Sequence, residues 1–76
     1  MALYANIEKI DESEELIRYK FTDIEGVGRV LVLNKVSEQV SLEAGEEDML
    51  YRAVASKVAV AWVRNGIAPD ELLVQS

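Results

Sequence analysis

The chain has 76 residues, half of them hydrophobic, and its 14 acidic and 8 basic side chains give a formal charge of -6. That is the length of one small domain, with too much apolar content for a disordered chain. With no Cys and no His, disulfides, zinc sites of the usual ligand types, Cys nucleophiles and His-dependent triads are excluded.

The acidic balance argues against a nucleic-acid binder that works by neutralising phosphate. Residues 1–6 carry no basic stretch followed by an apolar one, so no secretory leader is read there. The longest uncharged apolar run, residues 58–63, lies between Lys57 and Arg64. A membrane span needs roughly 20 such residues. The expectation is a soluble, cytoplasmic protein with no membrane partner. A domain this short buries only about 60% of its unfolded surface. Oligomerisation is the supplement left when disulfides and metals are absent, so a homodimer is expected.

Residues 3–10 alternate loosely, with Leu3, Ala5 and Ile7 on one side, and read as a strand. The acidic stretch 11–15 reads as a solvated connection. In residues 16–22, Ile17, Tyr19 and Phe21 form an apolar face and Arg18, Lys20 and Thr22 a polar one, the pattern of a half-buried strand. Asp23 to Gly26 supplies turn chemistry. Residues 27–33 include the continuous run Val30, Leu31, Val32 and Leu33, as in a central strand. A polar connection, 34–39, leads to a short strand at about 39–43. These four segments read as an antiparallel meander.

At Gly45 the period changes from two to 3.6. Glu46, Glu47 and Asp48 fit a helix start, where the dipole favours negative charge, and Asn65-Gly66 fits a helix stop. The helix is expected over 46–65. Its core stripe is read as Leu50, Val54, Val58, Ala61 and Trp62, with Tyr51 at the edge. A second stripe holds Met49, Ala53, Ser56, Val60 and Val63, which makes the helix apolar nearly all round. Residues 67–76 form an apolar tail. Pro69 stops the helix, and Leu72, Leu73 and Val74 need a partner: the back of the helix, the sheet edge or a second subunit. The fold class expected is α+β, a four-stranded antiparallel meander packed on one long C-terminal helix.

Few constellations carry chemistry. Gly26-Val27-Gly28 lacks the third glycine and the following helix that a phosphate loop needs, and reads as a turn. Glu43, Glu46, Glu47 and Asp48 lack the alternating spacing of a calcium loop and read as helix-start features. Tyr19, Phe21 and Trp62 read as core rather than as a base-stacking platform. Arg18, Lys20 and Arg29 make a small basic face, read as a solvated sheet surface. No catalytic, metal or cofactor residue is assigned.

The string Tyr19-Lys20-Phe21, then Gly28 to Leu33, then Tyr51-Arg52-Ala53 with Lys57, Trp62, Gly66 and Pro69, resembles a group of small uncharacterised bacterial proteins. The resemblance spans about residues 16–70. It implies the same meander-plus-helix fold and a bacterial source, and carries no functional residues over.

The function expected is that of a small acidic interaction protein, not an enzyme. It is read as self-associating and as able to bind a basic protein partner. The interface is expected at Met49, Ala53, Val60, Val63, Leu72, Leu73 and Val74. One rival reading is an acidic inhibitor of the immunity or nucleic-acid-mimic type, which needs its carboxylates on one continuous face. Another is a small carboxylate-dependent enzyme, which needs a cleft.

Overall fold

The computed structural model describes residues 3–75. Met1, Ala2 and Ser76, the ends of the domain and tail read above, lie outside the described residues. In chain order the elements are β1 (Tyr4–Glu12), β2 (Leu16–Asp23), β3 (Gly28–Asn34), β4 (Gln39–Leu42), α1 (Met49–Asn65) and β5 (Glu71–Gln75). The fold is α+β: one antiparallel sheet in the order β4-β3-β2-β1-β5, with α1 on one face. The expected meander accounts for four strands. The tail supplies the fifth, lying beside β1 with Ile7 opposite Leu72 and Ala5 opposite Val74.

The physical reason for the fifth strand lies in β1. Ala5 and Ile7 are completely buried, and a strand with only β2 beside it would leave that side of them to water. Placing Leu72 and Val74 next to them closes the layer. The chain reaches that edge through Gly66 and the segment 67–70. Gly66 sits at φ 67°, and its N–H donates to the Trp62 carbonyl at 2.8 Å, so α1 ends as the Asn65-Gly66 pair suggests.

Sheet alternation sorts the side chains. Ile7, Ile17, Tyr19, Phe21, Leu31 and Leu33 point to the helix and are buried, packed with Tyr51, Val54 and Val58 of α1. Burying one such side chain is worth about 1.5–3 kcal/mol. Arg18, Lys20, Val30 and Val32 point to the opposite, uncovered face, where Val30 and Val32 are half-buried among their neighbours.

Several expected boundaries shift. β1 runs on to Glu12, so Asp11 and Glu12 belong to the strand rather than to a loop. The extension follows an irregularity between Lys9 and Asp11 that leaves Ile10 as the extra residue. Helix α1 begins at Met49, not at 46. Asp48 is its N-cap, with extended backbone and a carboxylate accepting the Tyr51 N–H at 2.9 Å. Glu46 and Glu47 therefore precede the helix. The core stripe is rotated too. Tyr51 is buried at 6% exposure, whereas Leu50, Ala61 and Trp62 are only half-buried.

Candidate interaction surface

Some of the charged side chains tie elements of the fold together. Lys9 donates to Glu12 at 2.7 Å and to the Ala68 carbonyl at 3.3 Å, and lies 3.1 Å from Asp70. Lys35 approaches the other oxygen of Glu12 at 2.8 Å. Set between two ammonium groups, Lys35 first and Lys9 second, Glu12 has its carboxyl pulled down to about 2. The same contacts, Glu12 before Asp70, push the Lys9 ammonium up. This cluster ties β1 and the β3–β4 turn to the loop that leads into β5.

A second anchor lies at the helix start. Arg29 stacks over the Phe21 ring, 4.8 Å from its centroid. It also donates to the Glu46 carbonyl and to Asp48, at 2.9 and 3.1 Å. The Tyr51 N–H, and then Arg29, hold the Asp48 carboxyl below its usual range. Arg29 lies opposite Phe21 on the helix side, so it does not join Arg18 and Lys20 in a basic face as expected. On the open face Arg18 grips Glu43 through two bonds of 2.9 Å, which lowers the Glu43 carboxyl.

These placements bear on the acidic clusters. Asp11–Glu15 and Asp70–Glu71 meet at one end of the sheet, with Lys9 and Lys35 among them. Asp48 of the third cluster lies beside Arg29, while its Glu43 shares Arg18 with Asp11, at 2.9 and 3.9 Å. Among the described residues no group of three or more acidic side chains is arranged to hold a metal ion.

The seven expected interface residues divide. Leu72 and Val74 are half-buried and pack on the core, because they face the helix beside Ile7 and Ala5. Ala53 is half-buried. Met49, Val60, Val63 and Leu73 are exposed, at 69%, 49%, 68% and 45%. Ile67, which the sequence reading did not single out, is also exposed. Ala53, Ser56, Lys57 and Val60 of α1 line one wall of an open groove of about 460 Å³. The other wall is Leu73, Val74 and Gln75 of β5. The structure thus brings together Ala53, Val60, Leu73 and Val74 from the two expected apolar sets. Met49 and Val63 do not line this groove, though Val63 lines a neighbouring hollow with Ala59, Val60 and Arg64.

The two edges of the sheet differ. On β4 the Val40 carbonyl accepts the Tyr51 hydroxyl at 3.3 Å, so one backbone group of that strand is taken up by the helix. Along β5 no strand pairs with the outer side among the described residues. The segment Glu71-Leu72-Leu73-Val74-Gln75 has neither the Lys nor the Pro that commonly protects an edge strand.

Comparison with known proteins gives no relative: no family model, no curated protein and no solved structure matches the chain. Among the described residues no helix is long and apolar enough to cross a membrane.

Proposed function

We propose that this chain is a non-enzymatic interaction protein that associates with a second copy of itself. The observation that carries this reading is the groove between α1 and β5, where an apolar helix flank lies beside an unprotected strand edge. A strand edge offers backbone N–H and C=O groups, and an apolar flank next to it adds burial to their pairing. For a domain this small, such a contact supplies stability that its own core lacks.

The described surface hollows are open grooves rather than enclosed clefts, and the most strongly shifted carboxylate, Glu12, is already paired with two lysines. Both observations support an interaction role over carboxylate-dependent catalysis. A basic protein partner is the second reading. It is favoured by Glu14, Glu15, Glu46 and Glu47, which are exposed. None of these four has a side-chain ion pair among the described residues.

Light scattering on a size-exclusion column tests the leading reading. The expected mass at micromolar concentration is twice the 8.5 kDa of one chain. A mass of one chain throughout that range contradicts self-association.

A further inference from the structure

We propose that the second copy docks by antiparallel pairing of β5 with β5 about a two-fold axis through Leu73, which joins the two sheets into one. This rests on the self-association reading and specifies its geometry.

The backbone fixes which groups are free. In an antiparallel pair, residues that exchange both hydrogen bonds alternate with residues that exchange none. The Lys9 N–H donates to the Asp70 carbonyl at 2.9 Å. Following the register from there, Ile7–Leu72 and Ala5–Val74 are also bonded pairs. Asp70, Leu72 and Val74 therefore spend their backbone groups on β1. Glu71, Leu73 and Gln75 turn theirs to the open edge.

The number of outward groups paired, and the charges set opposite each other, select the axis. A two-fold centred on Leu72 or Val74 makes that residue a non-hydrogen-bonded pair and brings only two pairs of outward residues of the strand together, against three for Leu73. One centred on Glu71 sets two carboxylates directly opposite each other, which is unfavourable. One centred on Gln75 uses only the last residue of the strand. Centring on Leu73 pairs it with the partner's Leu73, and sets Glu71 against the partner's Gln75 at both ends. All three are positions at which outward backbone groups meet, and no like charges face each other. This register pairs every outward residue of the strand with its two-fold mate, as an isologous interface requires.

The side chains agree. Leu73 lies on the open face, opposite Asn6 on β1, and is 45% exposed. Pairing lays it against its symmetry mate. An axis perpendicular to the sheet keeps both helices on the same face, so the two α1–β5 grooves open onto each other. Ala53 and Ser56 are short enough to admit that approach. Lys57, at the groove wall and exposed, can keep its ammonium in water while its stem covers apolar surface.

The chain contains no Cys, so a single introduced thiol can bridge only to its own copy. Opposed residues at a hydrogen-bonded position have Cβ atoms about 5.5 Å apart, wider than the ~3.8 Å of a disulfide, so the bridge is made with a short bis-maleimide spacer. Leu73→Cys is expected to give a crosslinked dimer as the main species with that spacer, and Val63→Cys, on the outer side of α1, little. Leu73→Lys is expected to stay folded by circular dichroism and to weaken the dimer roughly tenfold or more by opposing two charges. A wild type that is monomeric sinks the self-association reading and this geometry together. A wild type that is dimeric while Leu73→Cys fails to bridge, or Val63→Cys bridges instead, overturns the β5 geometry alone. Undiminished dimerisation of Leu73→Lys does the same.

Discussion

The Tyr19 hydroxyl donates a hydrogen bond of 2.7 Å to the carbonyl of Pro69. Tyr19 lies in the centre of the sheet on β2, and its ring is buried at 1% exposure. Pro69 lies in the connection between α1 and β5. The bond therefore fixes the approach of the fifth strand from beneath the core, and burial pushes the phenol up from its usual range.

Tyr19→Phe keeps the ring and removes this one bond. The expected cost is about 1 kcal/mol, somewhat more if the Pro69 carbonyl is left without a partner. Because the lost contact tethers β5, amide exchange should accelerate most at Leu72 and Val74, whose N–H groups bond to β1. A uniform acceleration across β2 and β3 would show instead that Tyr19 acts only through core packing.

Much of this architecture is written in the sequence, because local period and burial coincide there. Ile17, Tyr19 and Phe21 alternate cleanly, and all three are buried. Asn65-Gly66 ends the helix as its chemistry predicts. The reading fails where tertiary context decides. Leu72-Leu73-Val74 is too short and too continuously apolar to declare a strand, and its place beside β1 follows from the burial of Ala5 and Ile7. The helix start was read three residues early because Glu46 and Glu47 suit a first turn as well as a preceding loop. Arg29 is read onto the wrong face, since the Val30 to Leu33 run has no alternation to orient it. The candidate interface was half legible. Ala53, Val60, Leu73 and Val74 came from two separate apolar stretches, and only the position of β5 joins them.

Tyr51 and Trp62 should respond differently to truncation. Tyr51 is buried, its ring centroid is 6.4 Å from that of Phe21, and its hydroxyl donates to the Val40 carbonyl on β4. Tyr51→Ala is expected to cost about 3–5 kcal/mol, as for other buried aromatic residues. Trp62 is half-buried, with the Lys35 ammonium 5.9 Å from its ring centroid. Although it is the largest side chain on α1, Trp62→Ala should cost only about 1–2 kcal/mol. Urea denaturation of both variants, followed by circular dichroism, gives the order. A larger loss for Trp62→Ala would contradict it.

Acid should weaken the fold through Glu12. Its carboxyl is lowered from 4.5 to about 2 by Lys35 and then Lys9. A group with a depressed folded-state value contributes its stability above the unfolded value, and loses it as pH falls through the folded one. The loss should therefore develop between about pH 4.5 and pH 2. Glu43 and Asp48 are lowered as well and act in the same direction. Glu12→Gln should be less stable than wild type at pH 7 and should fall less steeply on acidification. Because these groups are exposed, added salt should shrink the difference. Equal acid slopes for the two proteins would remove Glu12 from the account.

The β3–β4 turn carries the one non-glycine residue with positive φ among the described residues, Glu38 at 60°. The Asn34 carboxamide oxygen accepts the N–H groups of Val36 and Ser37, at 2.9 and 3.0 Å, and the Asn34 carbonyl accepts the Glu38 N–H at 2.7 Å. These bonds wind the turn so that its last residue must enter the left-handed region to rejoin the ladder at Gln39. A side chain there costs about 1–2 kcal/mol. Glycine removes that strain but adds unfolded-state freedom worth about 0.4–1 kcal/mol. Glu38→Gly should therefore stabilise by about 0.5–1 kcal/mol, since the first effect exceeds the second. Glu38→Val, β-branched at the same position, should destabilise. Thermal midpoints of the two variants against wild type decide it. A lower midpoint for Glu38→Gly would mean that the turn is held by the Asn34 bonds strongly enough for the flexibility of glycine to outweigh the relief.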